Sequence, residues 1–205
     1  MANDSKSTQV HKLFLKISKQ NKHKEFYNYL KTTKIINIDS RLNKDISLQF
    51  FIIKTIIGQQ VSVSAARSIW KKVEIFLENK NKNKNNNISL KALANCGLSR
   101  PKAKYIHGVI NNEELQLTSK RTLQTMQDQE LSEFFLKIKG IGPWTLGIIK
   151  MFYLGHSDTY LSGDLGVKKG ASYFFKDSKY MGEDYSPYKT YLCLYLWQSL
   201  STNFD

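Results

Sequence analysis

The chain reads Leu136-Lys-Ile-Lys-Gly-Ile-Gly-Pro-Trp-Thr145 and, one helix later, Leu161-Ser-Gly-Asp-Leu-Gly-Val-Lys-Lys-Gly170. The first segment predicts a helix end, a Gly-Ile-Gly turn, and a second helix from Pro143 to about Leu154, because proline suits a first helical turn. Backbone N–H groups ahead of that helix are left without intrahelical partners, and the positive end of the helix dipole reinforces them as an anion site. Glycine at 140 and 142 admits positive φ and lets a phosphate approach the backbone, while Ile141 can plug the turn into the core. A Gly-x-Gly turn also suits an ordinary αα-hairpin. The flanking Lys137, Lys139 and Lys150 shift the reading towards nucleic-acid phosphate. In the second segment stands a lone carboxylate, Asp164. An acid next to a phosphate grip repels the polyanion that the grip attracts, so Asp164 is expected to do chemistry. It also stands where it can cap a helix beginning at Leu165.

Outward from this block, apolar spacing is helical and no two-residue alternation appears, so the chain reads as all-α. Residues 1–9 read as frayed, and 10–32 as one or two helices with Leu13, Phe14, Ile17, Phe26, Tyr29 and Leu30 inward. Asp45 is the expected cap of a helix through Ile57. Ser62 caps another from Val63 to Leu77, with Ala66, Ile69, Trp70 and Val73 on one face. The polar run Glu78–Asn87 reads as a flexible loop. Short helices follow at 89–95 and after Ser99, then a polar connector, a helix over 130–138, and helices over 164–175 and 187–200. In the last, Tyr188, Tyr191, Leu192, Tyr195, Leu196 and Ser199 share a stripe.

The chain has 205 residues and a net charge of +14, from 31 Lys+Arg against 17 Asp+Glu. Only Arg41, Arg67, Arg100 and Arg121 are arginines, so the charge is mostly lysine, which suits phosphate better than bidentate base reading. A lysine-rich codon bias explains lysine over arginine but leaves the shortage of acids unexplained, and nucleic acid is the favoured partner. Two cysteines, Cys96 and Cys193, are too few for a Cys₄ iron–sulfur cluster or a Cys-rich zinc site. The histidines show no metal-ligand spacing. The first residues do not read as a signal peptide, and the apolar run Phe50–Ile57 is far short of the ~20 residues needed to span a bilayer. A soluble protein located with DNA is expected, in the cytoplasm or nucleoid of a prokaryote or the nucleus of a eukaryote.

Ile138-Lys-Gly-Ile-Gly-Pro-Trp-Thr145 followed by Gly163-Asp-Leu-Gly-Val-Lys-Lys-Gly170 resembles the helix-hairpin-helix DNA glycosylase superfamily, and within it the 3-methyladenine DNA glycosylase II family. Three further segments agree: Ile57-Gly-Gln-Gln-Val-Ser62, Gly97-Leu-Ser-Arg-Pro-Lys-Ala-Lys-Tyr-Ile106, and Tyr185-Ser-Pro-Tyr-Lys-Thr-Tyr191 with Trp197. The resemblance covers about residues 45–200. It implies a short form without the N-terminal β-domain of longer bacterial members, built as two helical lobes with a DNA- and base-binding cleft between them. The expected parts are N-terminal helices (1–44) packing with the C-terminal lobe, a helical domain (45–157) carrying the hairpin (136–154), and the Asp loop with the C-terminal helices (158–205). Residues 78–87 form the flexible loop.

By the same resemblance, Asp164 is the catalytic carboxylate of a base-excision enzyme that flips an alkylated purine out of double-stranded DNA. It stabilises positive charge on the departing sugar. Asp158 and Asp177 fit the motif worse and read as solvent-facing. Trp144 occupies the position at which glycosylase/lyase members carry a Schiff-base lysine, so a monofunctional enzyme is implied. Trp144 and Trp197 match the aromatic pair of the base pocket, which would favour a base made cationic by alkylation. Gln60 matches the wedge that fills the vacated space. Gly140, Gly142 and Thr145, with Lys102, Lys104, Lys168 and Lys169, match phosphate contacts, which add affinity without specificity. The carbonyls of Leu136, Ile138 and Ile141 match a structural Na⁺ or K⁺ site. No other cofactor is implied, and a monomer is expected. The family's proline before the Asp is absent from Leu161-Ser162-Gly163, which would leave that loop freer. Tyr stands near 185–188 where Trp is common. A glycosylase/lyase and a non-catalytic helix-hairpin-helix module are the alternatives.

Overall fold

The computed structural model describes residues 5–42, 46–82, 88–177 and 179–203. Its α-helices are α1 (Lys6–Gln20), α2 (Lys24–Thr32), α3 (Leu48–Gly58), α4 (Val63–Lys82), α5 (Leu90–Asn95), α6 (Arg100–Ile110), α7 (Glu113–Leu117), α8 (Lys120–Thr125), α9 (Asp128–Leu136), α10 (Pro143–Ile149), α11 (Leu165–Phe175) and α12 (Lys189–Asn203). A π-helical turn, Lys150–Leu154, continues α10, and 3₁₀ turns lie at Asp39–Arg41 and Glu183–Tyr185. Among the described residues there is no strand. The chain divides into two compact units, Met1–Leu42 with Lys150–Asp205, and Asn43–Ile149.

Side-chain caps account for most helix starts. The hydroxyls of Ser5, Ser47, Ser62, Ser89, Ser99 and Ser119 each accept from an amide in the first turn that follows. These caps also explain where the sequence reading needs correction. Ser5 starts α1 at Lys6, inside the stretch expected to fray. Ser47 caps α3, while Asp45 lies outside the described residues. The connector 111–129 holds α7 and α8, capped by Asn112 and Ser119. Helix α4 runs on to Lys82, past the expected end at Leu77, because lysine propagates a helix already nucleated. The rest of the expected loop, 83–87, lies outside the described residues.

In the first unit α1 and α2 pack with α11, α12 and Tyr185. The buried stripe of α1 is Ser7, Val10, His11, Phe14 and Ser18; Phe14 is inward as expected, while Leu13 and Ile17 are only half-buried. Helix α12 is buried on every side from Thr190 to Leu196, wider than the expected stripe, and is the axis of this unit. Tyr185 is fully buried, edge-on to Phe14 at 4.7 Å, and its hydroxyl meets Ser18 Oγ and His23 Nδ1, each at 2.9 Å. In the second unit the axis is α3, whose Ile52, Ile53, Ile56 and Ile57 are fully buried among α4, α6 and α10.

Candidate active site and nucleic-acid interface

Asp164 is the N-cap of α11, and its Oδ1 accepts from the Val167 amide at 2.8 Å. The same oxygen accepts from the indole Nε1–H of Trp197 on α12, also at 2.8 Å. Two donors on one oxygen fix the plane of the carboxylate. The helices come this close because α11 offers glycine at its contact face. A Cβ at Gly166 would lie 2.9 Å from Trp197 Cδ1 and 3.1 Å from Asp164 Oδ1. A Cβ at Gly170 would lie 2.9 Å from Leu196 Cβ. The Trp197 ring also stacks on Phe152, with centroids 6.3 Å apart and planes inclined by 21°.

The loop before Asp164 is bound to α12 by one stripe of side chains. Thr190 Oγ1 accepts from the Thr159 amide (3.1 Å) and donates to the His156 carbonyl (2.7 Å). Cys193 Sγ accepts from the Leu161 amide at 3.4 Å. Burial pushes the Cys193 thiol up to about 12, so at neutral pH it serves as an acceptor and not as a nucleophile. Thr190, Cys193 and Trp197 thus hold residues 159, 161 and 164 in turn, and the loop is tied without the missing proline. Nothing in the local sequence marks Thr190 or Cys193 for this task, because their partners lie 31 and 32 positions away. Asp158 is exposed, as expected, and also accepts from the Lys189 amide (3.1 Å) and Ser186 Oγ (2.7 Å) at the start of α12.

The hairpin is formed by α9, the turn 137–142 and α10. Ile141 is buried, as its reading as a plug requires. Gly140 has φ +96°, and a Cβ there would lie 2.6 Å from both Cβ and Cγ of Tyr105, so glycine is required twice over. Gly142 departs from the expectation of positive φ. It faces open space, with nothing within 4 Å of an added Cβ. The first intrahelical bond of α10 runs from the Leu146 amide to the Gly142 carbonyl at 3.0 Å, so the Gly142 and Thr145 amides precede the ladder. Trp144 is half-buried on the first turn of α10.

Several expected phosphate contacts are placed otherwise. The Thr145 side chain is buried, and its hydroxyl accepts from Gln59 Nε2 at 2.9 Å, because the turn after α3 packs against the hairpin. Lys102 donates from Nζ to the carbonyls of Ile57 (2.8 Å) and Gln59 (2.6 Å), which the end of α3 leaves unsatisfied. Of the flanking lysines, Lys137 pairs with Glu114 at 2.7 Å and Lys150 is buried, whereas Lys139 is exposed. Lys104 on α6, and Lys168 and Lys169 on α11, are exposed. Gln60 is exposed on the α3–α4 turn and has a left-handed backbone, φ 55°. Among the described residues no group of three or more His, Cys, Asp or Glu side chains could hold a metal, and no helix is long and apolar enough to cross a membrane.

An all-α chain with a Gly-Ile-Gly turn between packed helices and a capped carboxylate downstream is a helix-hairpin-helix protein. No protein-family model matches it. It is 30% identical over 160 residues to the alkylbase DNA glycosidase-like protein mag2 of Schizosaccharomyces pombe, covering 72% of this chain and 75% of that one. It is 27% identical to the DNA-3-methyladenine glycosylase of Saccharomyces cerevisiae, covering 90% and 75%. The match to the putative DNA-3-methyladenine glycosylase YfjP of Bacillus subtilis, at 28% identity, takes in 76% of this chain but only 60% of the relative. Among solved structures, a DNA-3-methyladenine glycosidase from Bacillus halodurans superposes with TM-score 0.72 and 26% identity, covering 98% of this chain and 92% of that one. The S. pombe 3-methyladenine DNA glycosylase Mag1, in complex with abasic DNA, shares the fold with TM-score 0.71 at 20% identity, covering 89% and 97%. The chain belongs to the DNA-3-methyladenine glycosylase family.

Proposed function

We propose that this protein is a monofunctional DNA glycosylase of base excision repair, acting as a monomer on double-stranded DNA that contains alkylated purines of the 3-methyladenine and 7-methylguanine type. The observation that carries the reading is the orientation of Asp164 by two N–H donors, in a chain of this family. A carboxylate fixed in plane can face a sugar as its N-glycosidic bond breaks and stabilise the oxocarbenium-like charge without reorganising. It can also orient the water that completes hydrolysis. Reaching that bond in a duplex requires the nucleotide to be flipped out. The reading assigns Gln60 to the vacated space, Trp144 and Trp197 to stacking on the base, and the amides of Gly142 and Thr145, with Lys104, Lys168 and Lys169, to phosphate.

The chemistry needs no redox group and no zinc. Backbone carbonyls are hard oxygen donors, and those of Leu136, Ile138 and Ile141 would hold a Na⁺ or K⁺ ion. The Ile138 oxygen already accepts the Ile141 amide at 3.0 Å and keeps a second lone pair. Such an ion would add positive charge to the hairpin, and no step of the reaction passes through it.

The test is release of free base from methylated duplex DNA by the wild type and by Asp164→Asn. Asparagine also caps helices, so the variant should fold. Its base release should fall by at least ~10²-fold, the usual effect of removing one electrostatic stabiliser, while DNA binding persists. A wild type that releases no base from any methylated duplex would sink the proposal.

A further inference from the structure

We infer that Lys102 is a positioning residue that locks the α3–α4 turn, so that Gln60 is held ready to enter the duplex; this rests on the glycosylase reading above. A helix that ends in a left-handed residue ordinarily uses glycine there. The turn after α3 instead places Gln60 at φ 55°, a conformation that a side chain with a Cβ disfavours. Such a backbone persists only where its surroundings over-determine it. Here they do so from three directions.

From α6, the Lys102 ammonium donates to the carbonyls of Ile57 and Gln59, at 2.8 and 2.6 Å, on either side of Gly58. The carbonyl end of a helix carries partial negative charge, so a cation satisfies these oxygens better than a neutral donor would. From the hairpin, the Gly140 carbonyl and Thr145 Oγ1 accept from the Gln59 side chain at 3.1 and 2.9 Å. Within the turn, the Gln59 amide donates to the Ile56 carbonyl at 3.3 Å. Gln60 follows directly and stays exposed. Lys102 is half-buried with its Nζ on the end of α3, and burial lowers its pKa. This placement is costly for a surface phosphate contact and suited to an internal strut. The turn is thereby fastened to Gly140 and Thr145, so phosphate binding and duplex opening share one rigid support.

The experiment measures affinity for an undamaged duplex and for the same duplex with a tetrahydrofuran abasic analogue, together with the salt dependence of each and the melting temperature. The analogue is used because its missing base lets a wedge enter without extruding a nucleotide. Lys102→Met should lose about tenfold of the preference for the abasic duplex, a change on the scale of a lost charge-assisted hydrogen bond, while affinity for the undamaged duplex stays within about twofold. Lys102→Arg should restore most of the preference. Gln59→Ala, which severs the tie to the hairpin and leaves the ammonium in place, should show the same selective loss. If Lys102→Met instead weakens both duplexes equally and lowers the salt slope by about one, Lys102 is a phosphate contact and the inference fails alone. A wild type with no preference for the abasic duplex and no base release overturns the glycosylase reading as well.

Discussion

The indole N–H of Trp197 and the backbone N–H of Val167 meet on one oxygen of Asp164, each at 2.8 Å. This relationship gives Trp197 a second task beside the stacking surface expected of it, because its edge orients the carboxylate. Trp197→Phe keeps an aromatic ring and removes the donor. Single-turnover base release should fall roughly tenfold, in line with the loss of one hydrogen bond to a charged group at a half-buried site, and DNA affinity should change little. An unchanged rate would leave Trp197 with stacking alone.

The two hairpin glycines should separate under alanine substitution. Gly140→Ala combines positive φ with a collision against Tyr105, and should destabilise the protein by about 1–3 kcal/mol in urea unfolding. Gly142→Ala meets open space and should leave stability within about 0.5 kcal/mol, yet weaken DNA binding by crowding the phosphate. Equal effects of both substitutions on stability, with none on binding, would remove Gly142 from the interface.

Trp144 carries no amine, so borohydride treatment of the protein with lesion-containing DNA should trap no covalent adduct, and the product should be an intact abasic strand. A trapped adduct visible on a denaturing gel would refute the monofunctional reading.

Stability should fall on the acid side of neutrality. His11 Nδ1 lies 2.6 Å from the Tyr195 hydroxyl and His23 Nδ1 lies 2.9 Å from that of Tyr185. Burial lowers both pKa values below the ordinary 6.5, partly offset at His23 by Asp184. The unfolded chain then binds protons more readily than the folded one, so stability is complete above about 6.5. It is lost as pH drops from there, until the folded imidazoles also protonate. Urea midpoints between pH 8 and 5 should show this decline, and His11→Asn with His23→Gln should flatten it. An undiminished slope in that double variant would assign the titration to other groups.

The sequence by itself determined most of the elements, though not α7 and α8, and the chemistry they can carry. Helical apolar spacing, serine caps and Pro143 are local signals acting within a few residues, so the all-α class and most helix starts could be read directly. The same holds for the hairpin turn and for Asp164 as both cap and candidate acid, since a cap needs only the amide three residues on. At the hairpin the deciding contacts are distant in sequence: Lys102 is bonded to the end of α3, and the Thr145 hydroxyl lies buried against Gln59, which leaves its amide for phosphate.

Only the tertiary structure joined Trp197 to Asp164, tied residues 159–164 to one stripe of α12, and showed that Gly166 and Gly170 are needed for α11 to approach that closely. Glycine, threonine and cysteine at those positions carry no distinctive local signal. Their roles come from a helix–helix approach that packing sets. A hydrogen bond between residues more than thirty positions apart leaves no period in the chain. It becomes visible once burial has fixed which faces meet.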